Sequence, residues 1–216
     1  MKIEVGESLM LSWLRHVKKC QSVQLNWKPS MNHWHLYNKQ SLETMMTEIG
    51  QFYVEKHGFH IFKKTSSMKQ LIQQGEIDAL GLCIQGRNVQ ESFAVDVAFH
   101  EGGLNYGGKV STVEKIVKKI VRSAMILHGF YDMKSGNIVF ATPKINRSIL
   151  EPLEFHLEEL QNLFNQLGFD YRIELYTNHT FQSEILNPVM NLSSTIADTS
   201  ELFLRSMQLH SMFIKQ

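Results

Sequence analysis

Two aspartates stand in otherwise apolar segments of this sequence, Asp78 in EIDALGLCI and Asp96 in SFAVDVAFHE. A carboxylate inside a hydrophobic strand is costly unless it is paired with a cation or binds a metal ion. The turn-rich stretch QGRNVQE separates the two segments, so we expect neighbouring strands that carry both aspartates to one site. A turn cap or a buried ion pair with a lysine explains either aspartate alone, but the two together favour a shared metal site.

The residues after Asp96 extend this site. With the period of two expected in a strand, Asp96 and His100 share a face, with Ala98 between them. The glycine-rich turn EGGLNYGGK then leads to a helix over 112–128 with a continuous apolar stripe. The other side of this helix is basic and is a candidate contact for nucleic-acid phosphates, which proteins bind without reading the base sequence. Its basic residues are Lys115, Lys118, Lys119 and Arg122.

Hydrophobic periodicity predicts helices and strands in alternation along the chain. The predicted helices are 7–19, 41–57, 112–128, 152–167 and one that begins near residue 198. The predicted strands are 59–63, 76–84, 92–101, 137–142 and 169–177, and 22–28 reads as a short extended piece. This order indicates an α/β fold with a mixed central sheet flanked by helices. We expect a single domain with its core at 41–142 extended by 143–185, and peripheral elements at 1–40 and 186–216.

The order from residue 41 is helix, strand, two strands that each carry an aspartate, helix and strand. It resembles the αβββαβ core of the PD-(D/E)XK superfamily, the restriction-endonuclease-like nucleases. The resemblance implies an endonuclease, a hydrolase acting on DNA or RNA, with Asp78 and Asp96 as ligands of Mg²⁺ or Mn²⁺. Glu48, on the helix before the strands, would be an auxiliary ligand. Such cations polarise a phosphoryl oxygen and generate hydroxide, and carboxylates are the hard ligands that they prefer.

The sequence departs from the superfamily motif at one position. The lysine of D/E-x-K falls at residue 98, which is Ala98. Three explanations stay open: Lys109 or Lys115 reaches in from the turn or the helix, His100 replaces the lysine, or the site is inactive. The first hypothesis is a metal-dependent nuclease of defence or repair. The alternative is a catalytically inactive nuclease-like domain that binds nucleic acid or a protein partner.

Composition narrows the remaining classes of function. With 216 residues, 43% of them hydrophobic, and 22 Lys and Arg against 21 Asp and Glu, the chain can build a sizeable core and is not a wholly basic nucleic-acid coat. Cys20 and Cys83 match no metal-binding spacing, which indicates a reducing, cytoplasmic setting. We expect no membrane association, because no apolar run approaches the ~20 residues of a membrane span. The sequence is compatible with a homodimer or with a subunit of a larger complex that docks through its C-terminal helix.

Two further motifs carry little weight. His33 and His35 are two residues apart, but they have no third ligand nearby in the sequence, so solvated loop histidines are the better interpretation. The glycines of the turn at 101–109 match neither a Walker motif nor G-x-G-x-x-G, which argues against a nucleotide-binding loop.

Overall fold

The computed structural model describes residues 4–63, 65, 67–197 and 199–214. Its strands are β1 (Ser22–Trp27), β2 (Ile77–Gln85), β3 (Asn88–Val97), β4 (Ser135–Thr142) and β5 (Asp170–Thr177). Its α-helices are α1 (Val5–Ser12), α2 (Lys39–His57), α3 (Met68–Gln73), α4 (Lys109–Tyr131), α5 (Arg147–Gln166), α6 (Asn178–Phe181), α7 (Asn187–Leu192) and α8 (Leu202–Ile214). A π-helical turn extends α1 over Trp13–Val17, and another joins α6 to α7 over Gln182–Leu186. Over these described ranges, no helix is long and apolar enough to cross a membrane.

The five strands form one mixed sheet in the order β1-β2-β3-β4-β5. β1, β2 and β3 are antiparallel neighbours, whereas β4 runs parallel to β3 and β5 parallel to β4. Parallel neighbours need a crossover connection, and α4 and α5 supply the two that this order requires. The predicted α/β fold, a mixed central sheet flanked by helices, is confirmed.

Helices cover both faces of the sheet, because its central strands are apolar on both sides. Helices α2 to α5 pack on the face that includes Leu80 and Ala94. Helix α1 and the helices after β5 pack on the opposite face, which includes Ala79 and Val95. Side chains alternate along a strand, so Asp96 lies on the same face of β3 as Ala94, towards α4.

The first strand of the sheet is not the predicted one. Residues 59–63 form an irregular segment that ends in a turn at 61–63, because Gly58 and Lys63 both adopt positive φ, 66° and 49°, and redirect the chain at each end. Their apolar side chains still fill the core: Ile61 and Phe62 are buried beside α2. The strand that completes the antiparallel trio is β1, which pairs with β2 from Ser22↔Leu82 to Trp27↔Ile77. The N-terminal segment predicted to be peripheral therefore contributes a strand to the sheet.

The connection between β3 and α4 begins and ends earlier in the chain than predicted. β3 ends at Val97, so His100 lies in a loop beyond the strand, and the predicted strand face shared by Asp96 and His100 is wrong. α4 begins at Lys109, where the Asn105 side chain accepts hydrogen bonds from the amides of Gly107 (3.0 Å) and Gly108 (2.8 Å). The last predicted helix is α8, which begins at Leu202, while Asp198 lies outside the described residues.

Candidate active site

The pairing of β2 with β3 brings the two predicted aspartates together. The register pairs Ala79 with Val95, and one further step along the antiparallel ladder sets Asp78 opposite Asp96. Directly opposite side chains lie on the same face of an antiparallel pair, about 5 Å apart at Cβ. The Asp78 Oδ2 atom also accepts a 2.8 Å hydrogen bond from the Val97 amide, which fixes that carboxylate against the end of β3. The shared location predicted for the two carboxylates therefore matches the geometry.

Helix α4 supplies a cation to this pair. Lys119 Nζ lies 2.5 Å from Asp96 Oδ1, and Ser123 Oγ donates a hydrogen bond to Asp96 Oδ2 at 3.3 Å. Lys119 and Ser123 are four residues apart and so occupy adjacent turns on one side of the helix. The Asp96 side chain is 2% exposed and that of Lys119 28% exposed, so this is a largely buried ion pair.

Helix α1 adds a third carboxylate from the other face of the sheet. Gly6 lets the start of α1 approach the end of β3, because a Cβ at residue 6 would already lie 3.3 Å from a Val97 methyl group. Glu7 follows and accepts a 2.9 Å hydrogen bond from the Asn26 side chain on β1. Asn26 has φ 52°, a left-handed conformation that asparagine tolerates better than most residues, and this local irregularity turns its amide towards Glu7.

These groups line one open pocket of about 270 Å³, which we call the acid pocket. Its lining residues are Glu4, Gly6, Glu7, Asn26, Glu76, Asp78, Val97, Phe99 and Lys119. Asp96 lies directly behind this lining and reaches it through its ion pair with Lys119. The acid pocket is thus built from both faces of the sheet at the end where β2 begins and β3 ends.

The electrostatics of the acid pocket favour the uptake of positive charge. Burial, together with the neighbouring Asp96 carboxylate, raises the pKa of Asp78 to about 7, although Lys119 and the Val97 amide act in the opposite direction. Burial disfavours the charged form of Lys119, but the carboxylates of Asp96 and Asp78 outweigh it and raise the pKa of this lysine. Lys119 is therefore charged at neutral pH, whereas Asp78 holds a proton for much of the time until another cation approaches.

The donor atoms of the acid pocket fit a hard divalent cation. Carboxylates outnumber the single ammonium of Lys119 in this pocket. Asp78 and Asp96 act directly on that ammonium, and Glu4, Glu7 and Glu76 line the same space. Mg²⁺ is usually held by one or two carboxylates, with water and substrate oxygens completing its coordination. Asp78 and Asp96 supply that number from adjacent strands, and Glu7 faces the same space.

The structure separates Glu48 from the two aspartates. Glu48 is exposed on α2, and it lies outside the described lining of the acid pocket. The buried residues of α2, among them Met45 and Ile49, pack into the core that α2 shares with α4. The helical glutamate that does reach the pocket is Glu7, because α1 crosses the open end of β3 and α2 does not.

The three groups predicted to replace the motif lysine also lie away from the carboxylates. His100 is exposed in the loop after β3, where its ring lies 5.7 Å from that of Tyr106. Lys109 is exposed at the first residue of α4, and Lys115 Nζ donates to the Tyr106 carbonyl at 2.8 Å. Among the described residues, the cation that contacts Asp96 is Lys119, about one helical turn beyond Lys115 on α4.

The predicted basic face of α4 is mostly engaged within the protein. Lys119 is ion-paired, Arg122 donates to the Gln74 carbonyl at 3.0 Å, and Lys118 lies 3.5 Å from the Thr65 hydroxyl. This side of α4 faces β3 and α3 rather than open solvent, which is why only Lys115 of the four is exposed.

Sequence signals for the missed residues were present but weak. Lys119 and Ser123 form an i, i+4 polar pair next to the apolar stripe of α4, a pattern that fits a polar partner in the sheet as well as a solvated helix edge. Glu7 opens the first predicted helix, and only the approach of Gly6 to Val97 and the hydrogen bond from Asn26 to Glu7 bring this helix to the aspartates.

The chain matches no known protein family, and no curated protein or solved structure shows significant similarity to it.

Proposed function

We propose that this protein is a divalent-metal-dependent nuclease that hydrolyses phosphodiester bonds of DNA. The observation that carries the proposal is the pair of opposed carboxylates on β2 and β3, with the Lys119 ammonium bound to one of them, in a pocket that also receives Glu7. Carboxylates with a neighbouring lysine are the groups that metal-assisted phosphodiester hydrolysis requires.

The order of elements supports the same proposal. The chain follows the αβββαβ order of the PD-(D/E)XK superfamily, with two helices, α2 and α3, inserted after the first strand. The matching elements are helix α1, the antiparallel strands β1, β2 and β3, helix α4 and strand β4. In this alignment Glu7 replaces Glu48 as the glutamate of the first helix. Asp78 and Asp96 remain the proposed ligands of Mg²⁺ or Mn²⁺, as the resemblance implies.

Each group of the pocket has a chemical part in this proposal. A bound Mg²⁺ or Mn²⁺ would be held by Asp78 and Asp96 and would supply Lewis-acid polarisation of the phosphoryl oxygen and an activated water. Asp78, whose pKa is raised to about 7, can hold or release a proton at Oδ1 near neutral pH, because its Oδ2 is occupied by the Val97 amide. Glu7, held by Asn26, adds negative charge that favours a cation.

Lys119 is the proposed substitute for the lysine that the motif lacks at Ala98. Ala98 is buried, and its amide donates to the Ala141 carbonyl at 2.9 Å, so the chain after Asp96 stays against β4. The small Ala98 side chain lies on the same face as Asp96, towards α4, and Lys119 approaches that face from the helix. Its ammonium is therefore available to stabilise negative charge that develops on a phosphate near Asp96.

The test is cleavage of plasmid and single-stranded DNA in Mn²⁺ by the native chain and by Asp78→Asn. This substitution removes the carboxylate whose pKa is raised by burial, so the variant is expected to fold. Native cleavage should fall by at least about 100-fold in the variant, because a metal ligand is lost. Asp170→Asn is the matched control, since Asp170 is exposed on β5 and lies outside the acid pocket. Equal cleavage by the native chain and Asp78→Asn would contradict the proposal.

A second candidate function is a silent nuclease-like domain that binds nucleic acid or a protein. The observation that favours it is the absence of a lysine at residue 98, together with an ion pair that already neutralises Asp96. This candidate predicts no cleavage by the native chain or by Asp78→Asn, with equal DNA binding by both.

The free thiols Cys20 and Cys83 fit a cytoplasmic setting under either candidate.

A further inference from the structure

A second group of ionisable residues lies between α2 and α5, away from the acid pocket. It consists of His57, His156 and Glu159, and we call it the α2–α5 cluster. One donor atom from each residue lies within 4.8 Å of the others. In the described part of the chain, this is the group of three His, Cys, Asp or Glu residues whose donor atoms lie that close together. His57 is the last residue of α2, whereas His156 and Glu159 are one turn apart on α5.

Both imidazoles face the same carboxylate oxygen. His57 Nε2 lies 2.8 Å from Glu159 Oε2, and His156 Nδ1 lies 3.2 Å from the same atom. Neighbouring ligands of a tetrahedral metal ion with bonds of about 2.0–2.1 Å lie about 3.4 Å apart, so His156 is already near that spacing and His57 needs to move outward by about half an ångström. The two imidazole rings meet edge to face with their centroids 4.5 Å apart, and one nitrogen atom of each approaches Oε2.

Hydrogen bonding explains only part of this arrangement. His156 Nδ1 hydrogen-bonds Glu159 Oε2, but His57 Nε2 is buried and has no hydrogen-bond partner among the described residues, in spite of its 2.8 Å approach to the carboxylate. A buried ring nitrogen that approaches an oxygen without hydrogen-bond geometry needs another partner. A cation between the ring and the carboxylate would provide one.

The surroundings hold the cluster in place. The Tyr53 hydroxyl donates a 2.6 Å hydrogen bond to the His156 carbonyl, which ties α2 to α5 one turn before His57. Lys56 Nζ lies 2.7 Å from the other carboxylate oxygen, Oε1, and leaves Oε2 directed at the two imidazoles. Aromatic rings enclose the imidazoles: Phe59 and Phe155 both lie within 6.0 Å of His57. The side chains of His57, His156 and Glu159 are only 15%, 8% and 11% exposed.

We propose that the α2–α5 cluster binds Zn²⁺ and fastens the end of α2 to α5. Two imidazole nitrogens and one carboxylate oxygen are a ligand set that zinc accepts in proteins, with water in the fourth tetrahedral position. Nitrogen-rich sites favour zinc and related transition metals over Mg²⁺, which prefers oxygen. The site does not depend on the proposed nuclease activity, since it shares no residue with the acid pocket.

The experiment is a calorimetric titration of the metal-free full chain with Zn²⁺ at neutral pH. We expect one zinc per chain and a higher melting temperature at saturation, because zinc binds only the folded site. His57→Ala and His156→Ala should each weaken zinc binding by at least about 100-fold, as the loss of a ligand costs at least as much as the loss of an outer-shell partner. His60→Ala is the matched control, an exposed histidine three residues from His57, and should bind like the native chain.

Circular dichroism of the metal-free variants checks that each variant is folded. Only a variant with the native helix content can be compared with the native chain in zinc binding. Should a histidine variant unfold, Glu159→Gln takes its place, with the same expected loss of binding. Substitution with Co²⁺ should give the visible absorption of a four-coordinate site in the native chain and not in the variants. Asp78→Asn should leave zinc binding unchanged, which separates this site from the acid pocket. Absence of zinc binding by the native chain, or equal binding by His57→Ala, would overturn the proposal.

Discussion

The acid pocket and the α2–α5 cluster are built from opposite balances of charge. In the acid pocket, carboxylates outnumber the single ammonium of Lys119: Glu4, Glu7, Glu76 and Asp78 line the pocket and Asp96 lies behind them. In the α2–α5 cluster, two imidazoles and Lys56 surround the single carboxylate of Glu159. The excess of carboxylates in the acid pocket favours the uptake of a cation. In the α2–α5 cluster it is the neutral imidazole nitrogens, rather than an excess of negative charge, that offer ligands to a metal ion. One fold can therefore carry an oxygen-rich site and a nitrogen-rich site, and the donor atoms distinguish the cations that each site would accept.

The largest expected effect is the loss of the buried ion pair in the acid pocket. Asp96→Ala leaves the Lys119 ammonium largely buried without its partner, and we expect the free energy of unfolding to fall by about 3–5 kcal/mol. The double variant Asp96→Ala, Lys119→Met removes both charges and should recover most of that loss. Urea denaturation measures both. If the double variant is as unstable as the single one, the ion pair is not what stabilises this end of β3.

The next largest expected effect is the dependence of folding stability on pH that arises from Asp78. Its folded-state pKa of about 7 lies above the ordinary value of 3.8, so the folded chain binds the proton more tightly than the unfolded chain. The contribution of Asp78 to stability is therefore complete below about pH 4 and is lost as the pH rises through 7. Above pH 7 the folded chain must carry an ionised, largely buried Asp78 carboxylate, which lowers its stability. Asp78→Asn removes that charge and should stabilise the metal-free protein by about 2 kcal/mol at pH 8.

Well below pH 3.8 the same substitution should have little effect, since Asp78 is then protonated in both the folded and the unfolded state. Melting temperatures of the chelator-treated protein across this pH range provide the measurement. A constant difference between native protein and variant at all pH values would show that the Asp78 carboxylate is not the titrating group. Saturating Mn²⁺ should raise the melting temperature of the native chain more than that of the variant.

The pH dependence of stability that arises from Glu159 in the α2–α5 cluster should be smaller than that from Asp78 and of opposite sign. Burial alone would raise the pKa of Glu159, but Lys56 and the two histidines outweigh it and lower that pKa. Glu159 therefore contributes stability above its ordinary pKa of 4.5, and this contribution is lost as the pH falls through the lower folded-state value. Glu159→Gln should destabilise the metal-free protein by about 1 kcal/mol at pH 7, with the difference shrinking in acid. Destabilisation that persists unchanged at pH 3 would instead indicate a packing defect.

Much of the fold could be predicted from local pattern. The apolar stripes of α2 and α4 and the apolar strands β2 and β3 appear in the sequence with the periods of 3.6 and 2 that these elements require. The placement of Asp78 and Asp96 in adjacent strands also followed, because a short turn between two strands leaves antiparallel pairing as the simple outcome. Residues 59–63 show where pattern fails, since five alternating residues are equally compatible with a strand and with a turn that buries two side chains.

The sequence by itself determined the identity of the elements and the two aspartates of the acid pocket, since these depend on neighbours along the chain. Only the tertiary structure decided which other residues meet them. It joined β1 to the sheet, brought Glu7 rather than Glu48 to the pocket, and selected Lys119 from the basic residues of α4. It also brought the Cys20 and Cys83 sulfur atoms to 3.1 Å. The physical reason is that such contacts depend on how whole helices and strands pack across the sheet, which no local period records.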